Sequence, residues 1–261
     1  MADAVEKRRD ETTSTSVVRP RSAYSKRFML ANLLVVVGFL GVLVVFGLLV
    51  SKESSKQAWS DYTPKGTDVF EKAQNMVNHV APKYRYGGAP IAVVQAQPLL
   101  YRDAVVDGIA FTRPPLRQVG GRLTDFEPAG STIAYVFCGQ AQSCALPQAG
   151  AGEIGPLLQR ESLELALYTF KYWPDVRSIV TLLPANGRSS AAVFLRRRHV
   201  ERFLDKPLFA TLPRHEELTA QSLTNAERET IDRVVVNNTF ASRFEQAPNG
   251  RTVLLLTAVN Q

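Results

Sequence analysis

Residues 157–195 read LLQRESLELALYTFKYWPDVRSIVTLLPANGRSSAAVFL, and this stretch decides the fold class. Its first part carries apolar side chains at helical spacing, namely Leu163, Ala166, Leu167, Phe170 and Trp173. That spacing predicts a helix over 157–173. The apolar runs 176–183 and 191–195 flank Asn186-Gly187, and an Asn-Gly pair between apolar runs is the strongest short signal for a β-hairpin. The stretch therefore predicts a helix followed by two antiparallel strands.

The same order returns nearer the C-terminus. Thr224 and Glu227 have the spacing of a capping box, which predicts a helix that begins there and runs to about residue 236. The runs 240–245 and 252–259 then flank a second Asn-Gly pair, at Asn249. Two such units are compatible with an internal αββ duplication or with coincidence. Either way, the sequence predicts an α+β domain of antiparallel hairpins packed with helices.

Upstream of residue 157 the pattern is less regular. Apolar spacing predicts a helix over Asp68–Ala81 and strands over Ile91–Val94 and Ala104–Thr112. Arg122–Phe126 and Thr132–Phe137 resemble paired strands around a turn. The Gly-, Ala- and Pro-rich run 142–154 predicts a surface loop, so we place a candidate internal boundary near 142–156. Residues 68–137 and 157–261 can belong to one sheet or to two.

Membrane attachment is predicted by Met29–Val50, a run of 22 residues in which only Asn32 is polar. A helix rises about 1.5 Å per residue, so such a run can cross a hydrocarbon core of about 30 Å. We therefore divide the chain into a cytoplasmic basic tail (1–27), a transmembrane helix (28–50), a stalk (51–66) and an extracytoplasmic α+β domain (67–261).

The orientation follows from positive charge. Seven Lys and Arg residues precede the apolar run, whereas three follow within the next 15 residues. Basic residues are retained on the cytoplasmic side, so we expect the N-terminus inside and the C-terminal domain outside. A cleaved signal peptide is disfavoured because the basic and apolar regions are both too long, and a lipid anchor would need a nearby cysteine.

The net charge of +7 is spread along the chain. Residues 1–50 hold seven bases and four acids (+3), and the remainder holds 24 bases and 20 acids (+4). This excess is too mild to indicate nucleic-acid binding. It permits contact with a lipid bilayer or with anionic envelope polymers.

The two cysteines, Cys138 and Cys144, are separated by five residues. Both would lie outside the cytoplasm, where disulfides persist, and we expect them to form a loop staple. A zinc site is the rival interpretation, but spacing supplies no four-ligand set.

The densest basic cluster outside the predicted membrane segment is a candidate anion-binding site, formed by Arg196, Arg197, Arg198, His199 and Arg202. Arginine forks match phosphate and carboxylate groups, although such runs also mark solvated faces. Asp125 and Glu127 alternate along a strand and are a weaker candidate for acid–base chemistry. The histidines show no metal-binding spacing, and no nucleophile or nucleotide motif is present, so we expect no catalytic residue, metal or cofactor.

The sequence thus favours a single-pass, cell-membrane protein with a non-enzymatic interaction or assembly domain. Its expected partners are the bilayer and a membrane or envelope protein, with self-association as a further option. The alternative is an extracytoplasmic enzyme or binding domain that acts on cell-wall polymer or anionic envelope ligands. A ligand sensor ranks last, because the inner tail has no output domain.

Overall fold

The computed structural model describes residues 30–33, 35–39, 41, 58–112, 125–139, 144, 151–184, 190–246 and 250–258. The chain divides into two units, Met1–Gln57 and Ala58–Gln261. Within the first unit, the described residues 30–33, 35–39 and 41 are helical. No helix in the described part of the chain is both long enough and apolar enough to cross a membrane. Most of the predicted segment 28–50 lies outside the described residues.

The described part of the second unit contains five α-helices: α1 (Val69–Val80), α2 (Ala151–Tyr172), α3 (Arg197–Leu204), α4 (Leu208–Thr211) and α5 (Asn225–Val234). N-terminal caps explain where two of them begin. The Asp68 carboxylate accepts the backbone N–H groups of Phe70 and Glu71 at the start of α1. The predicted capping box of Thr224 and Glu227 is present at the start of α5.

Twelve strands are described. Four short ones form two hairpins apart from the main sheet: β1 (Arg85–Tyr86) with β2 (Ala89–Pro90), and β4 (Leu100–Tyr101) with β5 (Ala104–Val105). The other eight form one sheet: β3 (Val93–Gln97), β6 (Gly108–Thr112), β7 (Asp125–Pro128), β8 (Thr132–Cys138), β9 (Ser178–Leu183), β10 (Ser190–Arg196), β11 (Thr239–Gln246) and β12 (Thr252–Ala258).

This sheet is mixed, with the strand order β3-β8-β9-β10-β11-β12-β6-β7. The two predicted hairpins, β9–β10 and β11–β12, are antiparallel as expected. Two pairs are parallel, β8–β9 and β6–β12, so the prediction of antiparallel hairpins is correct only in part. Strands from both sides of residues 142–156 belong to this one sheet. The turn at Asn186 lies outside the described residues.

The predicted pairing of β7 with β8 is wrong. β7 pairs with β6, and β8 lies between β3 and β9. Local spacing suggested a hairpin because only the 3-10 turn Ala129–Ser131 separates the two strands. The structure instead pairs β6 with β12 and β8 with β9, both in parallel. These partners are distant in the chain, and no local pattern reveals them.

The connection between β7 and β8 requires a strongly curled sheet. These strands are six positions apart in the strand order, which would separate them by about 29 Å in a flat sheet. The three linking residues give four Cα–Cα steps and reach at most about 15 Å. The sheet therefore curls until β7 comes back near β8, as in a barrel that is only partly closed.

The two faces of the sheet carry separate cores. The concave face encloses a small apolar cluster that includes Ile109, Ala134, Val180, Phe194 and Leu254. The outer face packs against the helices in a larger cluster, to which α1, α2, α3 and α5 all contribute. Helix α2 is central to this cluster and is buried along most of its length.

Helix α2 begins six residues before the predicted start, at Ala151, and therefore takes up the end of the predicted loop. The Gly- and Pro-containing sequence before residue 157 concealed these turns. The order helix–strand–strand occurs twice as predicted, in α2-β9-β10 and α5-β11-β12. The two helices have 22 and 10 residues. The two units therefore share the order of their elements but differ in helix length.

Candidate functional site

A buried charge network centred on Arg160 is the most unusual polar feature of the described residues. Its Nε donates to Glu227 Oε1 at 3.0 Å, and Nη1 donates to the Tyr84 hydroxyl at 2.7 Å. Nη2 donates to the Pro213 carbonyl at 2.8 Å, and Glu164 lies within 3.4 Å of Nη1. One guanidinium thus joins α2, α5, the loop after α4 and the segment after α1.

Glu164 is the second centre of this network. It accepts hydrogen bonds from the Lys83 ammonium at 2.8 Å and from the Tyr84 hydroxyl at 2.6 Å. Burial, together with the negative charge of Glu164, raises the pKa of Tyr84 well above its usual range, so Tyr84 stays a neutral donor. Burial opposes the charge of Arg160, but Tyr84, Glu164 and Glu227 outweigh it and raise the pKa of Arg160.

Glu227 has two roles at once. Its carboxylate accepts the Thr224 N–H at 3.0 Å and so completes the cap of α5. The same carboxylate contacts Arg160 and lies 3.0 Å from His215 Nε2. Burial acts to raise the pKa of Glu227, and the hydrogen bonds from Thr224, His215 and Arg160 outweigh it, so the pKa is lowered. Glu227 is therefore held as a carboxylate.

An aromatic cluster holds residues 58–62, part of the predicted stalk, against the domain. Tyr62 stacks on His79 with ring centroids 4.0 Å apart, and Trp59 meets Tyr168 edge to face at 5.3 Å. The Trp59 carbonyl accepts the N–H of Leu208 at 2.7 Å. We call residues 58–62 the strap, because they cross from α1 and α2 to α4.

A cavity of about 410 Å³ lies between the strap, the charge network and the loop that follows α4. Its polar lining includes His79, Lys83, Arg160, Glu164 and Tyr168. Its apolar lining comes from Leu208, Phe209, Leu212 and Leu218. Asp61 of the strap and Arg214 also line the cavity and form an exposed ion pair at 2.7 Å.

The five residues of the predicted basic cluster are used in different ways. Arg196 pairs with Glu127 and lies over the rings of Phe111 and Phe194. Arg197 donates to the carbonyl groups of Phe170 and Trp173 and so closes the C-terminal end of α2.

The remaining three basic residues lie along α3. His199 Nδ1 accepts the Arg196 N–H at 3.4 Å, and burial followed by the nearby Arg198 and Arg196 charges lowers the pKa of His199. Arg202 lies over the Phe203 ring, and Arg198 is exposed. Anion binding by this cluster stays a prediction.

Asp125 and Glu127 both lie on β7, as predicted. Glu127 pairs with Arg196, so its carboxylate is bound to a cation. The predicted disulfide is confirmed: Cys138 at the end of β8 is bonded to Cys144, with an S–S distance of 2.01 Å. The described residues contain no group of three or more His, Cys, Asp or Glu side chains that could hold a metal ion.

Sequence reasoning missed the charge network. Arg160 and Glu164 are four residues apart on the predicted helix and therefore share a face, which resembles an ordinary solvated face. Their burial depends on Tyr84 and Glu227, which are 76 and 67 residues away from Arg160. The one local signal for this network was the capping box, because it places Glu227 in the first turn of α5.

Comparison with known proteins gives no relative for this chain: no family model, no curated protein and no solved structure matches it.

Proposed function

We propose that the protein is anchored in a membrane by segment 28–50 and that residues 67–261 form an extracytoplasmic domain that binds another membrane or envelope protein. One observation carries the anchor: the described residues of this segment expose their large apolar side chains. Those side chains are Leu30, Leu33, Val35, Val36, Val37 and Phe39, with exposures between 55% and 69%. A helix that is apolar on all sides needs a protein core or a lipid environment.

The orientation is supported by two independent features. Positive charge is concentrated before residue 28, which favours retention of that end in the cytoplasm. The Cys138–Cys144 disulfide belongs to the domain that follows this segment, and disulfides persist in oxidising compartments. Both features agree with an outer domain and an inner N-terminus.

A binding role is favoured over catalysis because the buried charges are bonded to one another. Arg160, Glu164 and Glu227 are each held by several partners, as residues that stabilise a fold would be. The edge strands offer a surface for a partner, since Val93 on β3 and Phe126 on β7 are 54% and 47% exposed. Exposed apolar residues on strand edges are common points of protein contact.

The proposal is tested by in-cell crosslinking of the tagged full-length protein, followed by membrane fractionation and mass spectrometry. We expect the protein to resist alkaline extraction and to bring down one strongly enriched membrane or envelope protein. Val93→Glu or Phe126→Glu should weaken that crosslink. Val105→Glu is the matched control, because Val105 is 69% exposed on the separate β4–β5 hairpin.

The two parts of the proposal fail separately. Release of the protein by alkali would contradict the membrane anchor whatever it binds. Retention in the membrane fraction with recovery of the protein alone would contradict the assembly role and leave the anchor standing.

A further inference from the structure

The cavity beneath the strap has the size and composition of a small-molecule site. Its volume of about 410 Å³ is within the usual range for ligand pockets. One wall is polar and the other is formed by Leu208, Phe209, Leu212 and Leu218. The exposed Asp61–Arg214 pair links the strap to the opposite wall. Exposed ion pairs contribute little stability, so this contact can open at low cost.

The polar wall carries hydrogen-bond donors that the protein does not use. The Tyr168 side chain is fully buried, and its hydroxyl makes no close hydrogen bond among the described residues, where Ser60 of the strap is a polar neighbour. His79 Nε2 is also buried and has no hydrogen-bond partner among the described residues. The Lys83 ammonium has three N–H donors, and among the described residues it donates to Glu164 Oε1 at 2.8 Å. His79 lies in the last turn of α1 and Lys83 in the 3-10 turn Ala81–Lys83 that follows it, and both line the cavity.

Glu164 and Asp61, two of the three acids that line the cavity, are already supplied with donors, and the third, Glu216, is exposed. Glu164 is bound by Lys83 and Tyr84, and Glu227 is bound by Arg160, His215 and Thr224. Asp61 is paired with Arg214. An occupant of the cavity therefore meets spare donors and few spare acceptors, which suits an acceptor group with negative charge.

We propose that this cavity binds a small monocarboxylate with an apolar body. The carboxylate accepts hydrogen bonds from the Tyr168 hydroxyl, the Lys83 ammonium and, in its Nε2–H tautomer, the His79 ring. The apolar body lies against Leu208, Phe209 and Leu212. This site is independent of the proposed protein partner, because it lies under the strap and not on the edge strands.

The test uses three matched probes, 3-phenylpropanoate, 3-phenylpropan-1-ol and 3-phenylpropylammonium, with the full chain in detergent. Binding is measured by isothermal titration calorimetry and by saturation-transfer NMR. We expect the carboxylate to bind at least tenfold more tightly than the alcohol, and the ammonium compound to bind most weakly. Equal affinity for the carboxylate and the alcohol would overturn the assignment of the head group, and no binding of any probe would overturn the site.

Tyr168→Phe is the decisive variant, because it removes one buried hydroxyl and keeps the ring that packs against Trp59 and Tyr62. The fold should be retained, and affinity for 3-phenylpropanoate should fall roughly fivefold, as expected for one lost hydrogen bond. Tyr86→Phe is the control, since Tyr86 is exposed and does not line this cavity. Unchanged affinity in Tyr168→Phe would contradict the proposed binding mode.

Lys83→Met tests the charge. We expect it to weaken binding of the carboxylate and leave binding of the alcohol unchanged. Lys65→Met is its matched control, because Lys65 is exposed and lies away from the cavity lining. An equal loss of affinity for both probes would mean that Lys83 only shapes the pocket, and it would overturn the role of Lys83 as a donor to the carboxylate.

Discussion

Glu161 shows how one buried side chain can make stability depend on pH. It is fully buried on α2, and neither carboxylate oxygen has a hydrogen-bond partner among the described residues. Burial, and then the charge of Glu164, raises the pKa of Glu161 well above its usual range. The folded protein therefore holds Glu161 protonated at pH values at which the unfolded chain has already released that proton.

The sign of the effect follows from proton linkage. Since the folded state binds more protons than the unfolded state, the free energy of unfolding falls as pH rises above the ordinary carboxyl pKa. We predict that the stability gained by Glu161→Gln, relative to the parent protein, grows with pH above the ordinary carboxyl pKa, by at most about 1.4 kcal/mol for each pH unit. Urea unfolding of the full chain in detergent, followed by circular dichroism, measures this difference.

Glu217→Gln is the control, because Glu217 is exposed. Its difference from the parent protein should stay constant over the same pH range. A constant difference for Glu161→Gln as well would mean that Glu161 is ionised or hydrated in the folded state.

At the scale of elements, the contact between β6 and β7 depends on a glycine. A Cβ atom added to Gly108 would lie 2.9 Å from the Glu127 carbonyl oxygen and closer still to the Phe126 ring. The ring is half-exposed and can turn away, but the carbonyl belongs to the backbone of the paired strand. The lack of a side chain at residue 108 therefore lets β7 lie close to β6.

We predict that Gly108→Ala lowers the free energy of unfolding by about 1–3 kcal/mol, because overpacking forces the two strands apart. Thermal and urea unfolding of the full chain measure the loss. Gly130→Ala is the matched control, since an added Cβ there meets no atom within 4 Å. A loss no larger than that of Gly130→Ala would mean that β7 adjusts freely at this edge.

At the scale of the whole molecule, Arg160 holds together segments that are distant in sequence. Its guanidinium contacts Tyr84, Glu164, Pro213 and Glu227, so it links the segment after α1, α2, the loop after α4 and α5. Removal of one member of such a buried network leaves the remaining charges without compensation.

We therefore predict that Arg160→Met lowers the free energy of unfolding by about 3–5 kcal/mol. Arg233→Met is the control, because Arg233 pairs with Glu229 on the exposed face of α5, and such pairs contribute about 0.5 kcal/mol or less. Denaturant unfolding of both variants in one detergent makes the comparison. Losses of similar size would show that the buried charges contribute no more than a surface pair.

The same molecule shows which features local sequence can predict. The periods of apolar residues, the capping box at Thr224 and the return strands of β9–β10 and β11–β12 depend on neighbours within about ten residues, and the structure has them. The pairing of Cys138 with Cys144 is also local and is confirmed. The orientation of segment 28–50 stays a prediction from composition.

Other features exist only through tertiary contacts. The sequence by itself determined the class, the order of most elements and the disulfide, because these depend on local spacing. The tertiary structure decided that β7 and β8 lie at different places in one curled sheet, because β7 pairs with β6, which is held beside the distant β12, whereas β8 pairs with β3 and β9. It also decided that Arg160 and Glu164 are buried, because their burial requires Tyr84 and Glu227, which only tertiary packing brings against α2.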